Sequence, residues 1–479
     1  MSAPEQACIA CNRFGLGARL GEITAAADAK AWLRSQLIGG APLLAVGAAD
    51  EPLSGSKQIL AGAEPILKQL RQLRARAQGA SGTPPASAAT PDAASDAAAA
   101  VMRLPQYFRP FYQADVRARL HTAATTTRPL LERLVYFWSN HFAVSVDKVA
   151  VLGVAGAMER EAIRPHVLGR FEDLLLAVEK HPAMLVYLDN ELSIGPDSPG
   201  AHRARRPVGL NENLAREILE LHTLGVDGGY TQADVTAFAR VLTGWSLGGG
   251  EGPLRLGAGG EFLFRPALHQ PGTQHVVGRD YAQLGVAQGE AVLHDLAHSP
   301  ATARHIATKL VRHFIDDEPP PAAVERVARA FERSGGDLPT VYAALIDSPE
   351  AWAKPFAKFR TPQDYVLSVY RALSLSGPEG AARGVAAFDL LGQRQFSPGS
   401  PAGWPDRSAD WDGAAAIMKR IELADAVARK LGDQVDAAAL APQLWGAALS
   451  DATREAVARA ASGAQALTLL LTAPEFMRR

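Results

Sequence analysis

Apolar residues recur along this chain mostly at helical spacing. Leu131, Leu134, Val135, Trp138 and His141 share one face of a helix predicted within residues 107–141. Residues 59–78 set apolar positions between Lys and Arg, the pattern of a long amphipathic helix. The densest signals lie in residues 209–245. Asn211 reads as an N-cap, the helix it opens runs to about Leu224, and Gly225 stops it. Thr231 and Asp234 then form a capping box, with Tyr230 and Val235 as a hydrophobic staple, and a second helix follows to about Trp245. Further helices are predicted in 158–181, 183–190, 288–314 (broken at Ser299-Pro300), 321–373 and 414–479. Only residues 261–265 and 275–277 read as strands, as two short strands or a hairpin.

The predicted fold is therefore mainly α: a large multi-helix domain with a small β-hairpin insertion and a disordered Ala/Ser/Pro-rich loop. Residues 1–77 are read as the N-terminal helices of the main domain. Residues 78–100 form an insertion without large apolar residues, and 101–479 complete the main helical domain.

Composition narrows the function classes. The 479 residues carry a net charge of −1, with 47% hydrophobic and 21% charged residues, as in ordinary soluble proteins. Such a balance supplies no long-range pull toward nucleic acid, so no nucleic-acid partner is expected. No apolar run reaches the ~18 residues of a membrane span. The opening residues show no basic stretch followed by an apolar one, so a cytoplasmic location is expected. Cys8 and Cys11 form a lone C-x-x-C with no second pair, and are read as small buried residues on the first helix.

Candidate chemistry centres on the helix after Asn211. At about 100° per residue, with Leu214 at zero, Glu217 falls near about −60°, Asn213 near about −100° and Glu220 near about −120°. An amide and two carboxylates thus flank the apolar face, where desolvation raises a carboxyl pKa and suits acid–base or metal chemistry. A buried ion-pair network explains the same stripe equally well. Arg205 and Arg206 precede that helix as a candidate anion site. His305, Lys309 and His313 form a stripe on a later helix. A partly buried Lys309 needs a carboxylate partner, with Glu217 or Glu220 as candidates. Lys354, Lys358 and Arg360 read as a basic patch. Trp404 and Trp411, in a Pro-rich loop with Arg394 and Arg407, read either as a stacking platform or as a core cover. His294 and His298 are spaced as in a zinc motif, with Asp in place of Glu between them. With the inward-facing His141 they are the candidate metal ligands; no cofactor is assigned, a divalent metal being the alternative considered. The glycines of residues 246–278 fit no nucleotide-binding spacing.

NENLAREILELHTLGVDGGYTQADVTAFARVLTGW resembles the central motif of the domain of unknown function 1800 family of bacterial proteins. NRFGLGAR, FWSNHF, HPAMLVYLDN, HSPATARHIATKLVRHF, GGDLPTVYAALIDSPEAW and GWPDRSADW resemble its other markers, in order along most of the chain. The resemblance carries over no catalytic residue. It implies cell-envelope work, since many relatives carry export signals and accompany a sulfatase-like secreted protein. The leading expectation is then an enzyme, a hydrolase or lyase, on a carbohydrate or cell-envelope substrate. Glu217 and Glu220 would act as acid and base, Asn213 would orient one of them, Arg205, Arg206 and Lys309 would hold an anionic group, and Trp404 or Trp411 would flank the pocket. The alternatives are a non-catalytic helical scaffold or partner of a sulfatase-like protein, and a metal-binding protein.

Overall fold

The computed structural model describes residues 2–41, 44, 51–79, 91–204, 209–249, 257, 259–432 and 434–479. Within these residues the chain is mainly helical, as its periodicity predicts. Helix α1 (Ala3–Ile9) starts at Ser2 with a capping box to Glu5 and runs on as a π turn to Phe14, burying Cys8 and Cys11 on the way. Burial pushes the Cys8 thiol up to about 12, so it is an inert packing group. Helices α2 (Ser56–Gly79) and α3 (Pro91–Thr125) pack together and flank residues 80–90 of the Ala/Ser/Pro-rich stretch, which lie outside the described residues.

Helix α4 (Pro129–His141) opens on Pro129 and is buried along nearly its whole length. Trp138 donates to the Tyr342 hydroxyl at 2.6 Å, and that hydroxyl donates to the Val167 carbonyl at 3.0 Å. The α4 carboxylate Glu132 accepts two bonds from Arg164, at 2.8 and 2.6 Å, with both side chains buried. Helix α5 (Phe171–Glu179) follows, its Phe171 stacking near Trp138.

Helix α6 spans Asn213–Glu217, and its N-cap is Glu212 rather than the predicted Asn211, whose side chain, one residue earlier, accepts from the Asn213 amide at 2.9 Å. It does not continue as regular α to Leu224: residues 218–222 form a π turn, closed by the Thr223 hydroxyl on the Ile218 carbonyl. One extra residue per turn shifts the helical phase beyond Glu217. Gly225 then takes φ 87, where a Cβ would lie 2.8 Å from the His305 ring nitrogen. Helix α7 (Gln232–Val241) starts at the predicted Thr231–Asp234 capping box and stops short of Trp245.

Trp245 instead opens β1 (Trp245–Leu247), antiparallel to β2 (Phe262–Phe264) with Trp245 opposite Phe264. β3 (Gln274–Val276) pairs with β4 (Arg279–Tyr281). The two predicted strands are thus strands, but each finds its own partner. Val277 and Gly278 turn β3 into β4 at positive φ, and the Val277 amide donates to Asp234 at 2.7 Å, so the α7 cap also pins this hairpin.

Helix α8 (Val286–Ala297) packs on α5. Ser299 caps α9 (Pro300–Phe314), whose Ala303, Ile306, Ala307, Leu310 and Phe314 enter the core at helical spacing. α9 packs on α10 (Pro321–Ser334), which packs on α11 (Leu338–Asp347); α12 (Pro362–Ala372) and α13 (Pro378–Leu390) pack on α3. Helices α14 (Ala414–Leu431) and α15 (Gly463–Leu471) close the C-terminal side. Buried apolar residues from Ala7 to Met477 make one contiguous cluster. No described helix is long and apolar enough to cross a membrane.

Breaking the buried Glu132–Arg164 pair with Arg164→Met leaves an uncompensated carboxylate inside α4, at a cost of about 3–5 kcal/mol. Urea unfolding should show that loss, while Arg454→Ala, at an exposed pair with Asp451, leaves the midpoint where it was. Equal midpoints for both variants would contradict this account of the core.

Candidate functional site

The C-terminal half of α4 and the last two turns of α9 share one cavity of about 360 Å³ with α3, the start of α12 and the loop of residues 391–411. Phe137 of α4 meets His313 and Phe314 of α9, at 5.4 and 6.5 Å between ring centres. The loop is docked on the end of α4 by the Asn140 side chain. Its amide nitrogen donates to the Trp404 carbonyl at 2.9 Å, and its oxygen accepts from the Trp404 amide at 2.7 Å. Gly403 permits that approach: at φ 84, its Cβ would fall 2.3 Å from the Asn140 carbonyl oxygen.

Charge dominates the inner wall. Asp364, buried at the first turn of α12, pairs with Arg133 at 3.0 Å and with Arg479 at 2.8 Å. Burial alone would raise this carboxyl, but the two guanidinium groups outweigh it and hold it far below the usual range. Asp406, from the loop, accepts from His313 Nδ1 at 3.0 Å and lies 3.7 Å from Arg479. It too is ionised, because His313, Lys358 and Arg479 overcome its burial. An ionised Asp406 fixes the tautomer: Nδ1 of His313 carries the proton, and Nε2 offers a lone pair, 3.4 Å from Arg133. Burial, aided by Arg479 and Arg133, pushes His313 down to about 4 against the pull of Asp406.

Three cations on the cavity stand apart from this network: Lys309, Arg312 and, exposed at the rim, Arg407. The side chains of Lys309 and Arg312 make no hydrogen bond or ion pair with any described residue, and the Arg312 Nε is buried without a partner. Burial pushes the Lys309 amine down to about 8; Asp406 opposes this and Arg312 adds to it. Lys358 is different, bonded to Asp317 at 2.6 Å and to two carbonyls. Trp404 lines the cavity half-buried; Trp411 packs 6.1 Å from it, buried, with its indole nitrogen bonded to the Pro405 carbonyl.

A second set of histidines adjoins the cavity. His141 donates from Nε2 to the His222 carbonyl at 3.1 Å, leaving Nδ1 buried and unpartnered. Burial, then the charges of Lys309 and His222, keep its pKa well below the ordinary value. His305 bonds the Leu221 carbonyl at 3.0 Å and is pushed down to about 4 by burial and Lys309. His222 is bonded to the buried Glu179 at 2.7 Å.

A family model described as protein of unknown function (DUF1800) matches residues 9–478. The chain belongs to the DUF1800 family. No curated protein and no solved structure matches it.

Of the sequence-predicted residues, this DUF1800 chain brings Lys309, Trp404 and His141 to one cavity, with Trp411 behind Trp404. Glu217, Glu220 and Asn213 are not on its wall. Glu217 is half-buried, with its pKa raised by burial and no hydrogen bond or ion pair among the described residues. Glu220 accepts from the Tyr230 hydroxyl at 3.3 Å, and Asn213 is exposed. No ion pair joins Lys309 to either glutamate; Asp406 is the acid it feels. Arg205 and Arg206 lie outside the described residues. His294 and His298 sit beside Glu172, without His141, and do not line the cavity. The expected basic patch is not a patch: Lys354 is exposed, whereas Lys358 and Arg360 are buried, bonded to Asp317 and to Asn12.

Sequence reading missed Arg133, Asp364, Asp406, Arg312 and Arg479. Arg133 did leave a signal, since it stands in a helix whose other positions are nearly all core, and a core arginine requires a carboxylate. Asp406 stands inside GWPDRSADW, where the tryptophans drew the attention.

Asn140→Ala removes both bonds that hold Trp404, each worth about 1 kcal/mol. Amide exchange in residues 391–411 of the DUF1800 chain should accelerate while α4 stays protected; unchanged exchange would contradict this docking. Acid should also destabilise the fold early. His141, His305 and His313 stay neutral where the unfolded chain would protonate them, so these three groups bind fewer protons in the folded state. The stability these imidazoles contribute falls as pH drops from about 6.5 toward about 4, and is offset only in part by Asp115 and Glu191, whose carboxyls burial raises to about 6 and about 7. The depressed Asp364 and Asp406 add their loss below about pH 4. A urea midpoint that is flat between pH 7.5 and 5 would contradict this.

Proposed function

We propose that the cavity binds an anionic group and that the chain is an acid–base enzyme acting on a substrate that carries one. The observation that carries this reading is that the side chains of Lys309 and Arg312, with Arg407 at the rim, have no hydrogen bond or ion pair among the described residues, beside a network in which Arg133, Asp364 and Arg479 are matched. A half-buried cation without a partner is costly, and an incoming carboxylate, phosphate or sulfate group relieves both costs at once. His313 supplies the proton acceptor: Asp406 orients it, and its Nε2 is unprotonated at neutral pH. A bound anion raises the pKa of both Lys309 and His313, bringing the imidazole nearer the range useful for proton transfer. Trp404 offers a flat apolar face beside these cations, the surface on which a sugar ring stacks. An anionic carbohydrate of the cell envelope fits this chemistry, with hydrolysis or elimination as the reaction class.

Glu217 supports a second reading of the acid. It is half-buried, unpartnered among the described residues and raised in pKa, the state of a carboxyl kept ready to donate a proton. A non-catalytic partner of a sulfatase-like protein is the third reading, supported by how fully Arg133, Asp364 and Arg479 close on one another.

Inorganic sulfate and phosphate are the probes. Lys309→Met and Arg312→Met should each weaken their binding at least ~10-fold by calorimetry at pH 7. Affinity of the parent should fall as pH rises through about 8, where Lys309 loses its proton, and the Lys309→Met variant should lack that step. Binding unchanged in both variants would sink the anion reading. With turnover of anionic oligosaccharides as readout, His313→Asn abolishes activity under the first reading and Glu217→Gln under the second; no turnover by the parent favours the partner reading.

A further inference from the structure

We infer that Glu172, His294 and His298 form a divalent-metal site, with zinc as the metal the donor set suits. The three side chains come from two packed helices. Glu172 stands in the first turn of α5, His294 in the last turn of α8, and His298 just beyond it. One ligand atom from each lies within 4.8 Å of the others. His294 Nδ1 is 2.8 Å from one Glu172 oxygen, and His298 Nε2 is 3.8 Å from the other. Tetrahedral zinc, with bonds of about 2.0–2.2 Å, sets its donors roughly 3.3 Å apart, so small side-chain shifts admit the ion.

The orientation of His298 supports the assignment. Its Nδ1 donates to the His294 carbonyl at 2.8 Å, so the proton sits there and Nε2 turns its lone pair toward Glu172. Metal-bound imidazoles are oriented in this way, by a carbonyl on the far nitrogen. The two rings lie 4.5 Å apart. Arg170, bonded to the Gly335 carbonyl near His298, is the neighbouring cation that the ion must tolerate.

The site is not the one the spacing of HDLAH suggests. Asp295 turns away, accepting from the Tyr281 hydroxyl at 2.8 Å and pairing with Arg279 at 2.7 Å, so it cannot serve a metal-bound water. The third ligand comes instead from α5. Three protein donors leave a fourth position for water or an outside ligand. The ion joins α5 to α8 and is separate from the Lys309 cavity, so the two proposals stand or fall apart.

The test uses tag-free full chain, stripped with chelator and titrated with zinc chloride. One zinc per chain is expected, with affinity falling at least ~10-fold in each of His294→Ala, His298→Ala and Glu172→Gln, and unchanged in His202→Ala, an exposed control. Binding should weaken as pH falls, because the imidazoles must be unprotonated. Cobalt(II) in place of zinc should give the visible absorption of a four- or five-coordinate ion, lost in the double variant of His294 and His298. All three ligands are at or near the surface, and a thermal melt matching the metal-free parent confirms that each variant is folded. No stoichiometric binding by the parent, or binding that the three variants leave intact, would overturn the site.

Discussion

A single buried carboxylate, Asp364, governs the charged end of this molecule. It lies where α4, the start of α12 and the final residues of the chain meet, and it is held by Arg133 on one side and Arg479 on the other. Removing a carboxylate from water costs several kcal/mol, so Asp364 is tolerable only with both guanidinium groups in place. Each guanidinium is equally dependent on it. The interaction therefore fixes three segments far apart in sequence. Arg479 carries the constraint on to Asp406 and to the His313 carbonyl, tying in the loop and α9.

The same bookkeeping defines what is left over. Asp364 satisfies Arg133 and Arg479, Asp317 satisfies Lys358, and Asp406 orients His313. Lys309 and Arg312, one turn of α9 apart, face the cavity with no hydrogen bond or ion pair to their side chains among the described residues. Under the proposed anion-binding reading, a matched network beside these cations is preorganised, because the surrounding groups need not move to answer the ligand. Asn140 and Gly403 belong to this account, since they set the loop that carries both Asp406 and Trp404.

Much of the fold was legible in the sequence because helix signals are local. Thr231 with Asp234, and Ser299 with Pro300, mark helix starts that the structure places at those residues. The apolar rhythm of α4 and α9 likewise names their buried faces. Even the Lys309–His313 stripe was visible, because both residues lie on one helix. The cavity was not visible, since Arg133, Asp364, Asp406 and Arg479 meet only in three dimensions. A helical wheel ranks residues about their own axis and says nothing of what faces them. It also assumes a constant phase, which the π turn after Glu217 breaks. Charge misled in one place: Lys358 and Arg360 read as part of a basic patch, yet they are buried because Asp317, Asn12 and backbone carbonyls wait for them.

The most direct test is the titration of the Lys309 amine itself, followed by its reactivity with a small acylating reagent as a function of pH and mapped by mass spectrometry. The account predicts a midpoint near about 8 in the free protein, rising when inorganic phosphate saturates the cavity. A midpoint at the ordinary lysine value, unmoved by phosphate, would contradict the claim that this amine is held without an ion pair, ready for an anion.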